Sequence, residues 1–225
     1  METSLHQQLK QLYADEHDRR EVSVDGYRID AVVGEQLIEI QSASLGALRE
    51  KVRTLLDSHD VLVVKPLAAR KLLVKRARRG GKVQSRRRSP LKENIYNVFY
   101  DLVHFVDVFP HPRLTLHVLL TEQEEHRIPA RKRRWKSKDY RVEDRRLVSV
   151  LETHEFREAE DLAALIPPDL PQPFTTEHLA TATDQPRWMA QKIAYCLRKT
   201  GAATMVGKTG NALLYELQDV SRRAA

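Results

Sequence analysis

Three side chains within one short stretch could do hydrolytic chemistry. Asp30 lies inside the apolar run of residues 27–33, and Glu39 and Gln41 lie in a second run, residues 36–42, after a turn at Gly34-Glu35. Strand side chains alternate between faces, so Glu39 and Gln41 share one face while Ile38 and Ile40 share the other. Carboxylates on neighbouring strand ends can hold a divalent cation, and such an ion can activate water against a phosphodiester. The competing interpretation is an ordinary half-buried hairpin with one wet face. Asp30 argues against it, because an unpaired carboxylate within an apolar strand costs several kcal/mol.

The surrounding pattern predicts the elements that would position these groups. Leu5, Leu9 and Leu12 recur at helical spacing behind Ser4, a candidate cap, so residues 4–14 read as a helix. Val22 and Val24 alternate into Asp25-Gly26, a strong hairpin signal, and residues 27–33 and 36–42 make the second and third strands. Leu45, Leu48, Val52, Leu55 and Leu56 give a second helical stripe, and Val61-Leu62-Val63-Val64 fits a buried strand after a crossover helix. The order is α-β-β-β-α-β. A flexible basic loop at 80–90 follows, then a helix with Leu91, Ile95, Val98, Leu102 and Phe105 inward, and an added strand at 114–120.

The last third differs. Residues 145–153 and 158–166 read as helices, and Thr175 or Thr176 caps a short helix bearing Leu179. Met189, Ile193, Cys196 and Leu197 form the inner face of a longer helix that ends at Gly201, with a hairpin over 204–217 behind it. The predicted organisation is an α/β domain at 1–125, a basic linker at 126–144 and a third region at 145–220.

The positive charge is concentrated. Residues 61–92 hold 12 Lys and Arg and no acid, and residues 127–146 hold 10 against 3 acids, while the remaining chain is net acidic. Such density points to a polyanion that gains affinity through counterion release, or else to solvated linkers. Neither basic segment carries an apolar insertion face, which argues against a membrane surface. No apolar run approaches bilayer length and no secretory signal opens the chain, so a cytoplasmic protein is expected. A single cysteine excludes an intrachain disulfide. Gly207-Lys208-Thr209 is no phosphate loop, since Ala202 stands where the first glycine is required. His104, His111 and His117 lack a metal-binding spacing.

The α-β-β-β-α-β order, with Asp30 on the second strand and Glu39-Ile40-Gln41 on the third, resembles the PD-(D/E)XK nuclease superfamily over residues 1–66. The resemblance implies that Asp30 and Glu39 bind Mg2+ or Mn2+ and that Gln41 occupies the position of the water-polarising lysine. Lys65 on the next strand could supply that missing charge, and Glu2 is the counterpart of a glutamate that the superfamily often adds on its first helix. A neutral amide can orient water but cannot offset charge as an ammonium does. The short helix, turn, longer helix and hairpin after residue 175 resemble a winged helix-turn-helix, whose second helix would enter a DNA major groove. Arg187, Gln191, Lys192, Tyr195, Arg198 and Lys199 would line that helix and Lys208 would tip the wing, while Trp188 could touch DNA but reads more readily as a core anchor. Arg79, Lys82, Arg86, Arg87, Arg88, Arg133 and Arg134 would run along phosphates. Together these features predict a Mg2+-dependent DNA endonuclease, with a homodimer allowed by the resemblance. The alternatives are a catalytically inactive DNA-binding regulator or scaffold, and a winged helix that contacts protein.

Overall fold

Leu5 and Leu9 stand one helical turn apart in α1 (Ser4–Tyr13) and are both fully buried. In the computed structural model, which describes residues 2–15, 19–130 and 139–218, α1 packs on β2 (Tyr27–Val33) and β3 (Gln36–Ile40). The Asp25-Gly26 turn closes β1 (Arg19–Val24) onto β2, pairing Val24 with Tyr27, and Gly34-Glu35 closes β2 onto β3, pairing Val33 with Gln36. Both pairs are antiparallel, as two-residue turns require. Gly26 and Gly34 carry the positive φ values (79° and 59°) that these turns need.

A 3-10 turn at Leu45–Leu48 leads into α2 (Arg49–Leu55), and β4 (Val61–Arg76) follows, then β5 (Val83–Arg88). A second 3-10 turn precedes α3 (Val98–Leu102), and two long strands come next, β6 (Leu114–Pro129) and β7 (Tyr140–Phe156). The strand order is β1-β2-β3-β4-β6-β7, with β5 paired to β4. The C-terminal elements are α4 (Ala159–Ala163), α5 (Thr176–Ala182), α6 (Arg187–Thr200), and the antiparallel hairpin β8 (Ala203–Thr209) and β9 (Ala212–Leu217). Among the described residues no helix is long and apolar enough to cross a membrane.

The described residues fall into two compact units, each drawn from three separated stretches. Unit 1 comprises Met1–Ser42, Val64–Ile95 and Val118–His154, and unit 2 comprises Ala43–Val63, Tyr96–His117 and Glu155–Ala225. The sequence expectation is a 1–125 domain, a 126–144 linker and a 145–220 domain; the two compact units instead group stretches from along the chain. Residues 126–129 belong to β6 and 140–144 to β7, so most of the described part of the expected linker is strand. Residues 145–153, expected as a helix, also lie in β7. Their apolar residues at 147, 150 and 151 fit a helical stripe, but sheet pairing overrides that weak local preference. The expected basic loop holds a strand as well, since β5 pairs Arg86, Arg87 and Arg88 with Val74, Leu73 and Leu72.

In unit 2 the inner face of α6 is Met189, Ile193, Cys196 and Leu197, all buried, and the helix ends on Gly201 at φ 86°. Thr175 caps α5, its hydroxyl accepting from the His178 amide at 3.3 Å. Trp188, expected in the core, is 52% exposed and sets its ring edge-on to Tyr100, with 6.3 Å between centroids.

Candidate metal centre

Glu2, His6 and Lys10 follow one another at four-residue steps, so they form a single stripe along and just before α1. That stripe faces Asp30 on β2. The strand registers explain what else gathers there. Arg20 pairs with Ala31 and Val22 with Ile29, which sets Glu21 of β1 opposite Asp30. Ala31 pairs with Ile38 on the other side, and one further step sets Glu39 of β3 opposite Asp30. Glu21, Asp30 and Glu39 thus form a cross-strand row of carboxylates. Like charges directly opposite each other destabilise a sheet unless cations relieve them.

Lys10 is one such cation. Its side chain is 7% exposed, and its Nζ lies 2.6 Å from Glu2 and 3.3 Å from Asp30, with a further contact to Glu21. Glu21 holds a left-handed backbone, φ 56°, and its carboxylate also meets Arg28. His6 Nε2 lies 2.9 Å from Asp30 Oδ1 and 3.4 Å from Glu2, and the Ile40 amide donates to Asp30 Oδ2 at 2.8 Å. Burial pushes the Asp30 carboxyl up, but the hydrogen bonds from His6 and the Ile40 amide and the charges of His6 and Lys10 outweigh it. Asp30 is held below the ordinary aspartate value.

One ligand atom each from Glu2, His6 and Asp30 lie within 4.8 Å of one another, a spacing that suits a divalent cation. The imidazole makes the set better suited to Mn2+ or Zn2+ than to Mg2+, which prefers oxygen alone. Glu39 stands outside that trio. It is a buried charged side chain (3% exposed), as is Lys65 on β4 (4%), and both engage other groups of the protein. Gln41 follows the end of β3, half-buried, with its backbone N–H donating to Val64 O at 2.9 Å. Sequence reasoning named Asp30 and Glu2 here and missed His6, Lys10 and Glu21.

A second charged centre lies in unit 1 around Glu125, whose side chain is 6% exposed. Arg127 meets it at 2.6 Å, Arg145 at 3.4 Å and Lys71 at 4.0 Å. Burial pushes the Glu125 carboxyl up, but the hydrogen bond from Arg127 and the charges of Arg127, Lys71 and Arg145 hold it below the ordinary glutamate value. Arg127 also stacks over Tyr140, 3.9 Å from the ring centroid. Arg87, Arg127 and Lys75 line a cavity of about 500 Å³ beside that ring.

The other expected DNA-contacting residues divide by place. Arg79, Lys82, Arg86, Arg87 and Arg88 are exposed at or near β5. Charged edge strands also keep sheets from pairing with other chains, a second role for the β5 arginines. Arg133 and Arg134 lie outside the described residues. On α6, Arg187, Gln191, Tyr195, Arg198 and Lys199 are exposed, whereas Lys192 is half-buried over the Tyr100 ring, 4.9 Å from its centroid. Lys208 is exposed on β8, paired with Leu213. Cys196 is fully buried, and that burial pushes its thiol up to about 12.

A family model described as "Domain of unknown function (DUF8091)" matches residues 3–157. The chain belongs to the DUF8091 family. The DUF8091 match runs from α1 to the end of β7, so it contains His6, Lys10, Glu21, Asp30, Glu39 and the Glu125 centre. Glu2 falls one residue before it, and α4 to β9 lie beyond it. A relative from Treponema pallidum (strain Nichols), described as an uncharacterized protein, is 32% identical over 216 residues, covering 95% of this chain and 84% of that protein. The likeness to that relative therefore extends past the DUF8091 match into the C-terminal elements. No solved structure matches the chain.

Proposed function

We propose that the protein binds DNA and cleaves it with a divalent ion, as a PD-(D/E)XK-type endonuclease whose C-terminal part is a winged helix-turn-helix. The observation that carries this reading is the meeting of Glu2, ahead of α1, with Asp30 on β2, together with His6. Glu2, His6 and Asp30 would hold Mn2+, or less readily Mg2+, with Glu39 beside them in the carboxylate row. The bound ion would supply a water of lowered pKa and offset charge on the departing oxygen. His6 and the Ile40 amide keep the Asp30 carboxylate ionised and oriented. Gln41 would orient the water, and Lys65 would contribute the ammonium that Gln41 lacks. In unit 2, α5 and α6 with β8 and β9 would be the winged motif, offering Arg187, Gln191, Tyr195 and Arg198 to a major groove and Lys208 to the backbone.

The test is cleavage of labelled duplex, nicked, branched and single-stranded DNA, with RNA alongside, in Mg2+ or Mn2+. Cleavage by the wild type that disappears in both Asp30→Ala and Glu39→Ala supports the assignment. Cleavage that survives in both variants overturns it.

A second reading has its own observation. Lys10 already sits on two of the three ligands, at 2.6 Å from Glu2 and 3.3 Å from Asp30, and Gln41 replaces the lysine. An ammonium in the cation's place describes a DNA-binding protein that no longer cuts. Salt-sensitive DNA binding without cleavage in either metal selects this reading.

A further inference from the structure

We infer that DNA phosphates dock along an arginine-lined groove in unit 1 that ends at Glu2. The inference rests on the nucleic-acid reading above and names the surface that would serve it. Two cavities of about 370 and 320 Å³ share Glu2, Arg79 and Glu143 in their linings, so they adjoin. Arg141 and Arg145 line the first, and Arg76 and Arg146 line the second. Five arginines, Arg76 at the end of β4, Arg79 in the turn after it and Arg141, Arg145 and Arg146 on β7, thus line the space beside a residue of the metal trio.

The acids within the groove are already engaged. Glu143 faces Arg79 at 3.9 Å and accepts from the Gly80 amide at 3.2 Å. Asp144 accepts from the Ser4 amide at 2.9 Å and the Ser4 hydroxyl at 2.7 Å, and meets Arg146 at 3.2 Å. Several arginines are fixed in advance. Arg76 donates to His126 Nδ1 at 3.3 Å and to Gly81 O at 2.8 Å, and Arg145 rests on Glu125. Held guanidinium forks suit phosphate oxygens, which they can bind two at a time. The location also answers an electrostatic problem. A row of carboxylates repels a polyanion, so a site that cuts DNA needs cations beside it to bring the phosphates in. This groove supplies them next to Glu2.

The experiment uses the full chain, a fluorescent DNA duplex and chelator, with Kd measured by anisotropy across a salt series. Arg79→Ala with Arg141→Ala is compared with wild type and with the charge-keeping pair Arg79→Lys and Arg141→Lys. Circular dichroism checks that each variant is folded. In the alanine pair, affinity should fall at least about tenfold and the slope of log K against log salt should flatten by about 2, since each lost phosphate contact removes about 0.9. The lysine pair should keep the wild-type slope. Wild-type affinity and slope in the alanine pair would overturn the groove while leaving DNA binding itself standing. A wild type that binds no DNA at low salt would overturn both.

Discussion

The two charged centres of unit 1 are near mirror images. Around Asp30, one lysine that is 7% exposed is shared among Glu2, Glu21 and Asp30. Around Glu125, one carboxylate that is 6% exposed is shared among Lys71, Arg127 and Arg145. Each centre therefore has a single, well-buried minority charge that holds several groups of the opposite sign together. The difference lies in what is left over. The first centre has carboxylate and imidazole in excess and suits a cation, while the second has guanidinium in excess and suits a phosphate. On the proposed reading, one seven-stranded sheet would offer a metal ligand set and an anion surface without either collapsing under its own repulsion.

Removing the minority charge should break each centre, and the first more severely. Lys10→Met keeps the apolar stem but leaves three crowded carboxylates without their ammonium. It should cost about 3 kcal/mol in urea unfolding at neutral pH in chelator, the scale for breaking a buried ion pair. A loss well under 1 kcal/mol, on the scale of an exposed pair, would show that solvent already screens the cluster. The same variant sharpens the functional contrast. With Lys10 gone, Mn2+ has no internal competitor for Glu2 and Asp30, so it should restore stability. At about a hundred times Kd the gain is about 2.7 kcal/mol. Wild type should gain less. Equal Mn2+ effects on both proteins would mean that Lys10 does not compete.

Glu125→Gln should cost less, about 2 kcal/mol, because the glutamine carbonyl oxygen can still accept from Arg127 and only the charge is lost, whereas Met in place of Lys10 keeps no donor at all. Mn2+ should stabilise this variant no more than it stabilises wild type. A selective Mn2+ gain in Glu125→Gln would erase the distinction between the centres.

Much of the first centre was legible in the chain, and more than was read from it. The two turns fix both registers. Counting back from Asp25-Gly26 sets Glu21 opposite Asp30, and counting forward from Gly34-Glu35 sets Glu39 there as well. His6 and Lys10 were equally available as the continuation of a four-residue stripe from Glu2. The second centre was not legible. Its strands read as a polar segment, Thr121 to Arg127, and as a basic one, Tyr140 to Arg146, with no apolar alternation to mark them. Their pairing is tertiary, and so is the placing of Arg145 beside Glu125, 20 residues earlier. α5, α6 and the β8–β9 hairpin announced themselves because caps, turns and an apolar stripe are local signals. Whether the face of α6 is groove-reading is a matter of chemistry that those signals do not carry.

Asp144 links the two centres and gives the smallest expected effect. It lies on β7 one residue before Arg145, yet its carboxylate takes the amide and hydroxyl of Ser4, the first residue of α1. Thr3, the residue at the cap position, makes no side-chain cap, so Asp144 caps α1 from strand β7. Burial pushes its carboxyl up, but the Ser4 hydrogen bonds and those from Arg146 and the Arg145 amide hold it below the ordinary value of 3.8. A depressed carboxyl contributes stability that is complete above its unfolded pKa and is lost as pH falls through its folded one. Asp144→Ala should therefore cost about 1 kcal/mol at pH 7, the usual value of a lost cap, and the gap to wild type should close under acid. If Asp144 also positions the start of α1, the Mn2+ response of the Lys10→Met background should weaken when Asp144→Ala is added, while the Glu125 centre is unmoved. Additive losses with an unchanged Mn2+ response would make Asp144 a cap and nothing more.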